Sequence, residues 1–268
     1  MTATRSLASR RNRVQAREWL TSVGWPILSF ALLIIAWEVL IVVLKVPEYL
    51  VPAPSKFLAR LFQSRQLIWT QTLVTAYEVV LGFTAAAVIS IPLALLIASV
   101  PALERGVYPI IVFFQLIPKI AIAPLFIVWF GFTVFPKVLL TFLLCFFPVL
   151  VDSMTGFKSI DPRLLYITRS MGANRWQTFR YIRLPAAMPF IFSGLKVSIV
   201  FASTGAIVGE FVGANSGLGY LLLRGTSYLD TPLIFAALVA LSIMGLLFSY
   251  IVQGSEQLLM PWQRKGEH

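Results

Sequence analysis

Six apolar stretches, each long enough to cross a membrane, constrain this chain more than any other feature. They run over about 24–44, 73–100, 107–130, 134–151, 190–212 and 233–252. A helix of roughly 20 apolar residues crosses the hydrocarbon core of a bilayer. Hydrophobic residues make up 58% of the chain and charged residues 12%, against about 45–50% and about 25% in soluble domains. We therefore predict an all-α integral membrane protein with six transmembrane helices.

Lysine and arginine are unevenly distributed between the segments that join these stretches. If the N-terminus is cytoplasmic, most basic residues lie in cytoplasmic segments, including the arginine-rich 1–23 and the polar segment 152–187. The opposite side then holds only Lys45, Lys56, Arg60, Arg65, Lys137 and Arg224. Because basic residues accumulate on the cytoplasmic side, we expect a cytoplasmic tail over 1–23, a transmembrane domain over 24–253 and a cytoplasmic tail over 254–268. The first stretch is too long for a signal peptide and is expected to remain as a span.

The segment 152–187, called the 152–187 loop below, contains signals for two short helices. Asp161 followed by Pro162 is typical of a helix start, and Gly172 predicts a stop and a bend with positive φ. The second helix is expected to end before Pro185. The apolar and basic residues of this second helix lie on opposite faces. The apolar residues are Trp176, Phe179 and Ile182, and the basic residues are Arg175, Arg180 and Arg183. The loop therefore reads as a compact amphipathic surface outside the bilayer.

These residues carry a resemblance to a known family. Gly172, followed after nine residues by Ile182-Arg183-Leu184-Pro185, resembles the cytoplasmic coupling loop of bacterial ABC importer permeases. That pattern begins with Glu-Ala-Ala, where this chain has Tyr166-Ile167-Thr168. Three further stretches, 51–55, 117–131 and 209–220, are similar to the subfamily that imports nitrate, sulfonates, taurine and related small solutes.

The resemblance implies a type I ABC importer permease fold in a bacterial inner membrane. It also implies a homodimer, two cytoplasmic ATP-binding subunits that hold the ATP and Mg²⁺, and an external solute-binding protein. No cofactor is expected in this chain. The residues that would contact the ATPase are Asp161, Arg163, Gly172, Arg175, Trp176, Phe179, Arg180, Ile182, Leu184 and Pro185. Trp176 and Phe179 would be the buried anchors, with Arg175 and Arg180 at the rim.

Lys119 is the basic residue that the sequence places near the middle of a span. It follows Pro118, and the prolines of this span remove backbone donors, which favours protein surroundings over lipid. A charge at mid-span costs at least ~2.5 kcal/mol and usually faces a partner or a wet cavity. Three interpretations of Lys119 therefore remain open. It lines a solute pathway together with Pro118, Glu78 and Glu210, or it forms an ion pair with Glu78 or Glu210. In the third, its side chain extends to an interface.

The remaining spans contain two features with alternative interpretations. Glu38 is expected to form a packing or interfacial pair rather than to take part in transport. Gly205, Gly209 and Gly213 form a stripe of small residues at spacing four, which indicates close helix packing or, by extension, a helix beside a central path ending near Glu210. An amphipathic helix over 54–70 either spaces two spans or supports an external docking surface.

Several functions lack the residues that they require. No Gly-x-x-x-x-Gly-Lys-Ser/Thr run is present, so an ATP site is not expected in this chain. Cys145 and His268 are the only residues of their types, which excludes a histidine-based metal site. The basic charge flanks spans, where topology explains it, so nucleic acid is not an expected partner. The leading hypothesis is an importer permease, and the alternative is an ion-coupled secondary transporter that uses Lys119, Glu78 and Glu210. The sequence does not identify the solute.

Overall fold

The structure, a computed structural model, describes residues 24–262 and consists of helices and the turns that join them. The first predicted tail, 1–23, and the last six residues of the second lie outside the described residues. The helices are α1 (Gly24–Val43), α2 (Pro54–Gln63), α3 (Arg65–Ser99), α4 (Pro101–Leu116), α5 (Ala123–Phe130), α6 (Val134–Lys158), α7 (Pro162–Ser170), α8 (Arg175–Thr178), α9 (Leu184–Gly213), α10 (Leu218–Ser227) and α11 (Thr231–Leu259). A 3₁₀ turn, Lys119–Ile122, precedes α5, and a π turn, Phe179–Arg183, precedes α9.

Helix α6 is the centre of the bundle and packs between α3 and α9. The approach is close because glycines face it from both sides. A Cβ on Gly82 would lie 2.6 Å from Thr141 Cβ, and a Cβ on Gly205 would lie 2.7 Å from Thr141 Cα. Gly209 meets Lys137 of α6 in the same way. The small-residue stripe of the fifth span therefore packs against α6 of the same chain, which confirms the close-packing interpretation.

The third predicted span is broken between α4 and α5, where the two pieces meet at 76°. The cause is Pro118, since a proline disfavours helical backbone in the residue before it, and Ile117 is extended with ψ 129°. An ion pair joins Glu104, at the start of α4, to Lys158, at the end of α6. The start of α4 and the end of α6 therefore lie at one end of the bundle, and the α4–α5 pair crosses to the other. With five long apolar helices and this broken pair, the predicted six spans are accounted for.

At the end of the bundle opposite to the 152–187 loop, α2 lies against the start of α11. Arg60 donates to Asp230 at 2.5 Å, and Phe57 stacks on Phe235 with ring centroids 5.8 Å apart. The amphipathic helix predicted over 54–70 is split at Ser64, and α3 begins at Arg65. The helix that contains the second predicted span begins eight residues before the predicted apolar stretch, because the amphipathic turn after Ser64 continues into it without a break.

Candidate functional site

The first half of the 152–187 loop folds as its sequence predicts. Helix α7 begins at Pro162, and the Asp161 carboxylate accepts a hydrogen bond of 2.8 Å from the Arg163 amide. Gly172 has φ +78°, so the prediction of positive φ is confirmed. A Cβ on Gly172 would meet nothing within 4 Å. The backbone conformation itself, not crowding, therefore favours glycine at this bend.

Helix α8 is started by a reciprocal cap that the sequence analysis missed. The Gln177 amide donates to the Asn174 side chain at 2.8 Å, and the Asn174 amide donates to the Gln177 side chain at 2.9 Å. The spacing of Asn174 and Gln177 is a capping-box signal that was available in the sequence. This cap fixes the direction in which the second half of the loop leaves the Gly172 bend.

The prediction that the second short helix ends before Pro185 is wrong. The π turn Phe179–Arg183 joins α8 to α9 without interruption, and the Leu184 amide donates to the Phe179 carbonyl. Pro185 then falls in the first turn of α9, where a missing amide proton costs little. The wide turn accommodates the proline ring, so α8, the π turn and α9 form one continuous helical rod.

The 152–187 loop exposes large apolar side chains. The exposed fractions are 73% for Tyr166, 80% for Met171 and 65% for Trp176. Phe179, predicted as a second anchor, is instead half-buried against the apolar cluster of α3, α6 and α9. Its ring centroid lies 5.7 Å from that of Trp176, so the half-buried Phe179 ring packs against the exposed Trp176 ring.

The other predicted loop residues surround this apolar surface. Arg163, Arg175 and Arg180 are exposed, whereas Ile182, Leu184 and Pro185 are half-buried at the start of the rod. A cavity of 800 Å³ lies between the loop and the end of α3 and is lined in part by Ser99, Arg175 and Trp176. The loop thus presents an apolar centre with a basic rim.

Within the bundle, Glu78 of α3 pairs with Lys137 of α6 at 2.5 Å. Both are buried, and the Glu78 side chain has no exposed surface. The expectation that Lys119 would pair with Glu78 or Glu210 is therefore wrong, and so is the placement of Lys137 in an external segment. The reason is that α6 begins inside the bundle, where Lys137 lies against Gly209 and its ammonium pairs with Glu78 of α3.

Glu210 holds the glycine-rich turn after α9. Its carboxylate accepts hydrogen bonds of 2.7 Å from the Thr75 hydroxyl and 2.5 Å from the Gly219 amide. The Thr75 hydroxyl in turn accepts from the Leu218 amide at 2.8 Å. Glu210 is fully buried. Buried polar groups need hydrogen-bond partners, and the Thr75 hydroxyl and the Gly219 amide provide them for this carboxylate. The sequence did not predict this tether because Thr75 lies 135 residues from Glu210 along the chain.

Gly217 lies in the same turn with φ +109°. The Gly217 amide donates to the Gln71 side chain at 2.5 Å. A Cβ at this position would overlap the Glu210 carboxylate. Both the backbone angle and the space therefore require glycine here.

Lys119 lies at the break of the third span, apart from both buried glutamates. Its ammonium donates to the Gln115 carbonyl at 2.9 Å and sits 4.6 Å from the centroid of the Phe147 ring. Lys119 is half-buried. Among the described residues, no carboxylate forms an ion pair with it. The ammonium is therefore held by a carbonyl and an aromatic face and keeps donor capacity for another group.

Glu38 occupies a structural position. Its carboxylate accepts from the amide of Ser55 at 3.0 Å and from the hydroxyl of the same residue at 2.7 Å. These bonds tie α1 to the start of α2. The expected packing pair is thus made with a hydroxyl and an amide at a helix N-terminus.

A bundle of broken and continuous apolar spans, with a bent loop at one end, defines a polytopic helical membrane protein. Residues 90–265 match the family described as "Binding-protein-dependent transport system inner membrane component". The chain belongs to this family of ABC importer permeases.

Named relatives agree with the assignment. The chain is 36% identical to the formylaminopyrimidine transport permease protein ThiX of Halalkalibacterium halodurans, over 90% of this chain and 96% of that protein. It is 35% identical to the riboflavin transport system permease protein RibX of Chloroflexus aurantiacus, over 96% of each. It is 30% identical to the putative aliphatic sulfonates transport permease protein SsuC of Bacillus subtilis, over 72% of this chain and 70% of that protein.

The fold resembles that of a solved transporter. An inward-facing structure of the MetNI methionine ABC transporter aligns with a TM-score of 0.60 and 20% sequence identity, covering 74% of this chain and 97% of the matched chain. The likeness confirms the predicted type I importer permease fold.

Proposed function

We propose that this chain, as a homodimer, forms the translocation pathway of an ATP-driven importer for a small polar or anionic solute. An external binding protein delivers the solute, and two cytoplasmic subunits bind ATP and Mg²⁺ and supply the energy. Both termini and the 152–187 loop lie in the cytoplasm, in keeping with the basic residues of that side. Family membership and the names of the relatives, which are transport permeases, support the importer role.

The observation that carries the proposal is the exposed apolar surface of the 152–187 loop. Tyr166, Met171 and Trp176 are each more than half exposed, yet the loop lies outside the long apolar spans. A contiguous apolar patch in water marks an interaction site. An aromatic centre with an arginine rim is typical of residues that dominate binding energy. We assign this surface to the ATPase subunit, with Trp176 as its anchor.

Motion of the ATPase would reach the membrane through a stiff connection. The rod formed by α8, the π turn and α9 is one continuous helix over Arg175–Gly213, and α9 packs along α6 more extensively than any other helix pair. Displacement of Trp176 would therefore tilt α9 together with α6. The Gly172 bend separates α7 from this rod, so α7 would follow the ATPase without distorting α9.

Lys119 and Pro118 are the proposed pathway residues. The break at Pro118 interrupts the third span beside Lys119, whose ammonium keeps hydrogen-bond donors for another group. An anionic or polar solute would accept hydrogen bonds from these donors. Glu78 and Glu210, which are fully buried in contacts within one chain, take a structural part. An ion-coupled transporter would need titrating groups that reach water, so their burial favours the ATP-driven alternative.

The test is the substitution Trp176→Ala in the assembled importer. Loss of this anchor should weaken association of the ATPase and abolish solute-stimulated ATP hydrolysis while the permease still inserts. The matched control is Trp69→Ala, since Trp69 is equally exposed, at 64%, but lies on α3 toward the opposite end. Normal stimulated hydrolysis in Trp176→Ala would contradict the assignment, as would equal losses in both variants.

A further inference from the structure

A groove between α9 and α11 carries hydroxyl groups inside the membrane. It has a volume of 330 Å³, and its walls include Ser203 and Thr204 of α9 and Ser242, Gly245 and Ser249 of α11. The remaining walls are aliphatic. Ligand pockets are mostly apolar with a few placed polar groups and begin at about 300 Å³, so both the size and the lining match a site for a small molecule.

The hydroxyl of Ser203 makes this groove more than a stripe of small residues. Ser203 is buried, with 7% of its surface exposed, and its hydroxyl oxygen has no hydrogen-bond partner within the described chain. Serine in a membrane helix can bond to its own backbone, as Ser242 does to the Leu238 carbonyl. A buried hydroxyl without a partner is costly, so the Ser203 hydroxyl points to a group supplied from outside the chain.

The groove lies at the depth at which transporters hold solutes. Gly245 is the midpoint of α11, whose ends are Thr231 and Leu259. Ser203 lies midway between Lys196 and Glu210 on α9, about 10 Å from each at 1.5 Å per residue. A Cβ on Gly245 would lie 3.9 Å from the Ser203 hydroxyl oxygen, so this glycine faces that hydroxyl across the groove. Solute sites near the bilayer midplane are the general rule for transporters.

Within the part of the chain that the structure describes, no charged residue lines the groove. The nearest basic residue on α9, Lys196, is paired with Glu256. An anion in the groove would therefore lose its hydration with no opposite charge nearby, which is strongly unfavourable. An uncharged solute with hydrogen-bonding groups would lose less and would satisfy Ser203.

We propose that the groove between α9 and α11 is a solute site of the translocation pathway and that it takes an uncharged polar molecule, such as a heterocycle, rather than an anion. This proposal rests on the proposed function and narrows its solute class. The formylaminopyrimidine and riboflavin named for two relatives belong to the favoured class and provide probes.

The first test locates the groove by thiol labelling. Thr204→Cys places an exposed thiol at its rim, and the one native cysteine, Cys145, is buried. In the complete importer in liposomes, a water-soluble maleimide should label this variant. Labelling only by a lipid-soluble maleimide would show that the groove faces lipid and would overturn the proposal.

The second test measures transport. Ser203→Ala should slow ATP-driven uptake about three- to tenfold, the value of one hydrogen bond, and Gly245→Val should block it by filling the groove. Matched controls on α11 are Ser255→Ala, whose hydroxyl bonds to the Val252 carbonyl, and Gly254→Val, which meets open space. Both controls should transport normally.

The probes are formylaminopyrimidine, riboflavin and ethanesulfonate. Uptake of a heterocycle that is slowed by Ser203→Ala supports the proposal, and uptake of ethanesulfonate that is slowed in the same way overturns the uncharged class. If the wild-type importer transports none of the three, the proposed range of solutes fails. The labelling result would still decide whether the groove faces water.

Discussion

The buried pair of Lys137 and Glu78 gives the sharpest prediction about what holds the bundle together. Lys137→Met keeps the length of the side chain and removes its charge, which leaves Glu78 without its counter-charge. The side chains of the pair are 9% and 0% exposed, with 2.5 Å between nitrogen and oxygen. Little water can replace the lost ammonium, so the full cost of an unpaired buried charge should appear.

The expected loss follows from this burial. Removing one partner of a buried pair destabilises by about 3–5 kcal/mol, whereas an exposed pair contributes about 0–1 kcal/mol. Lys158→Met is the control, because Lys158 pairs with Glu104 at side-chain exposures of 49% and 30%. The double variant Lys137→Met/Glu78→Met removes both charges and should recover most of the loss, since a hydrophobic replacement of a buried pair is often neutral.

The assay is thermal unfolding of the purified permease in detergent, followed by loss of its folded fraction. At about 2–4 °C per kcal/mol for a chain of this size, Lys137→Met should unfold about 6–20 °C below the wild type. The control should shift by a few degrees at most. The reasoning about the buried pair is refuted if Lys137→Met unfolds at the same temperature as Lys158→Met. It is also refuted if the double variant unfolds at no higher a temperature than Lys137→Met.

Three further substitutions test other parts of the structure. Gly172→Val should reduce transport more than Gly172→Ala, and both should act through the strained φ of about 1–2 kcal/mol; normal uptake in both would remove the bend from the mechanism. Lys119→Met should lower uptake while dimer and ATPase assembly stay intact, and unchanged uptake would show that Lys119 lies off the pathway. Gly217→Ala should destabilise the permease because its Cβ overlaps the Glu210 carboxylate, and a wild-type unfolding temperature would contradict the tether.

Much of the fold follows from local signals in the sequence. The apolar stretches predict the spans because length and hydropathy alone decide whether a helix can cross a bilayer. Asp161 and Gly172 predict the start of α7 and the bend after it because each acts on its own backbone. The break at Pro118 was not predicted, although a proline acts on the backbone of the residue before it in the same local way.

The contacts between helices were less predictable. Glu78 and Lys137 are 59 residues apart, and the rotation of α3 and α6 about their axes decides which lysine meets Glu78. Lys137 lies close to a boundary between apolar stretches, so the sequence pattern places it in an external segment.

Pro185 was interpreted as a helix end because a proline signal does not distinguish the end of one helix from the first turn of the next.

Assembly with an ATPase tests the central claim most directly. The measurement is ATP-driven solute uptake by liposomes that contain the permease, its ATPase subunit and its binding protein, compared between wild type and Trp176→Ala. The account predicts uptake that depends on ATP and on the binding protein in the wild type, and loss of both uptake and ATPase association in the variant. Uptake that proceeds without an ATPase subunit, driven by an ion gradient, would contradict it.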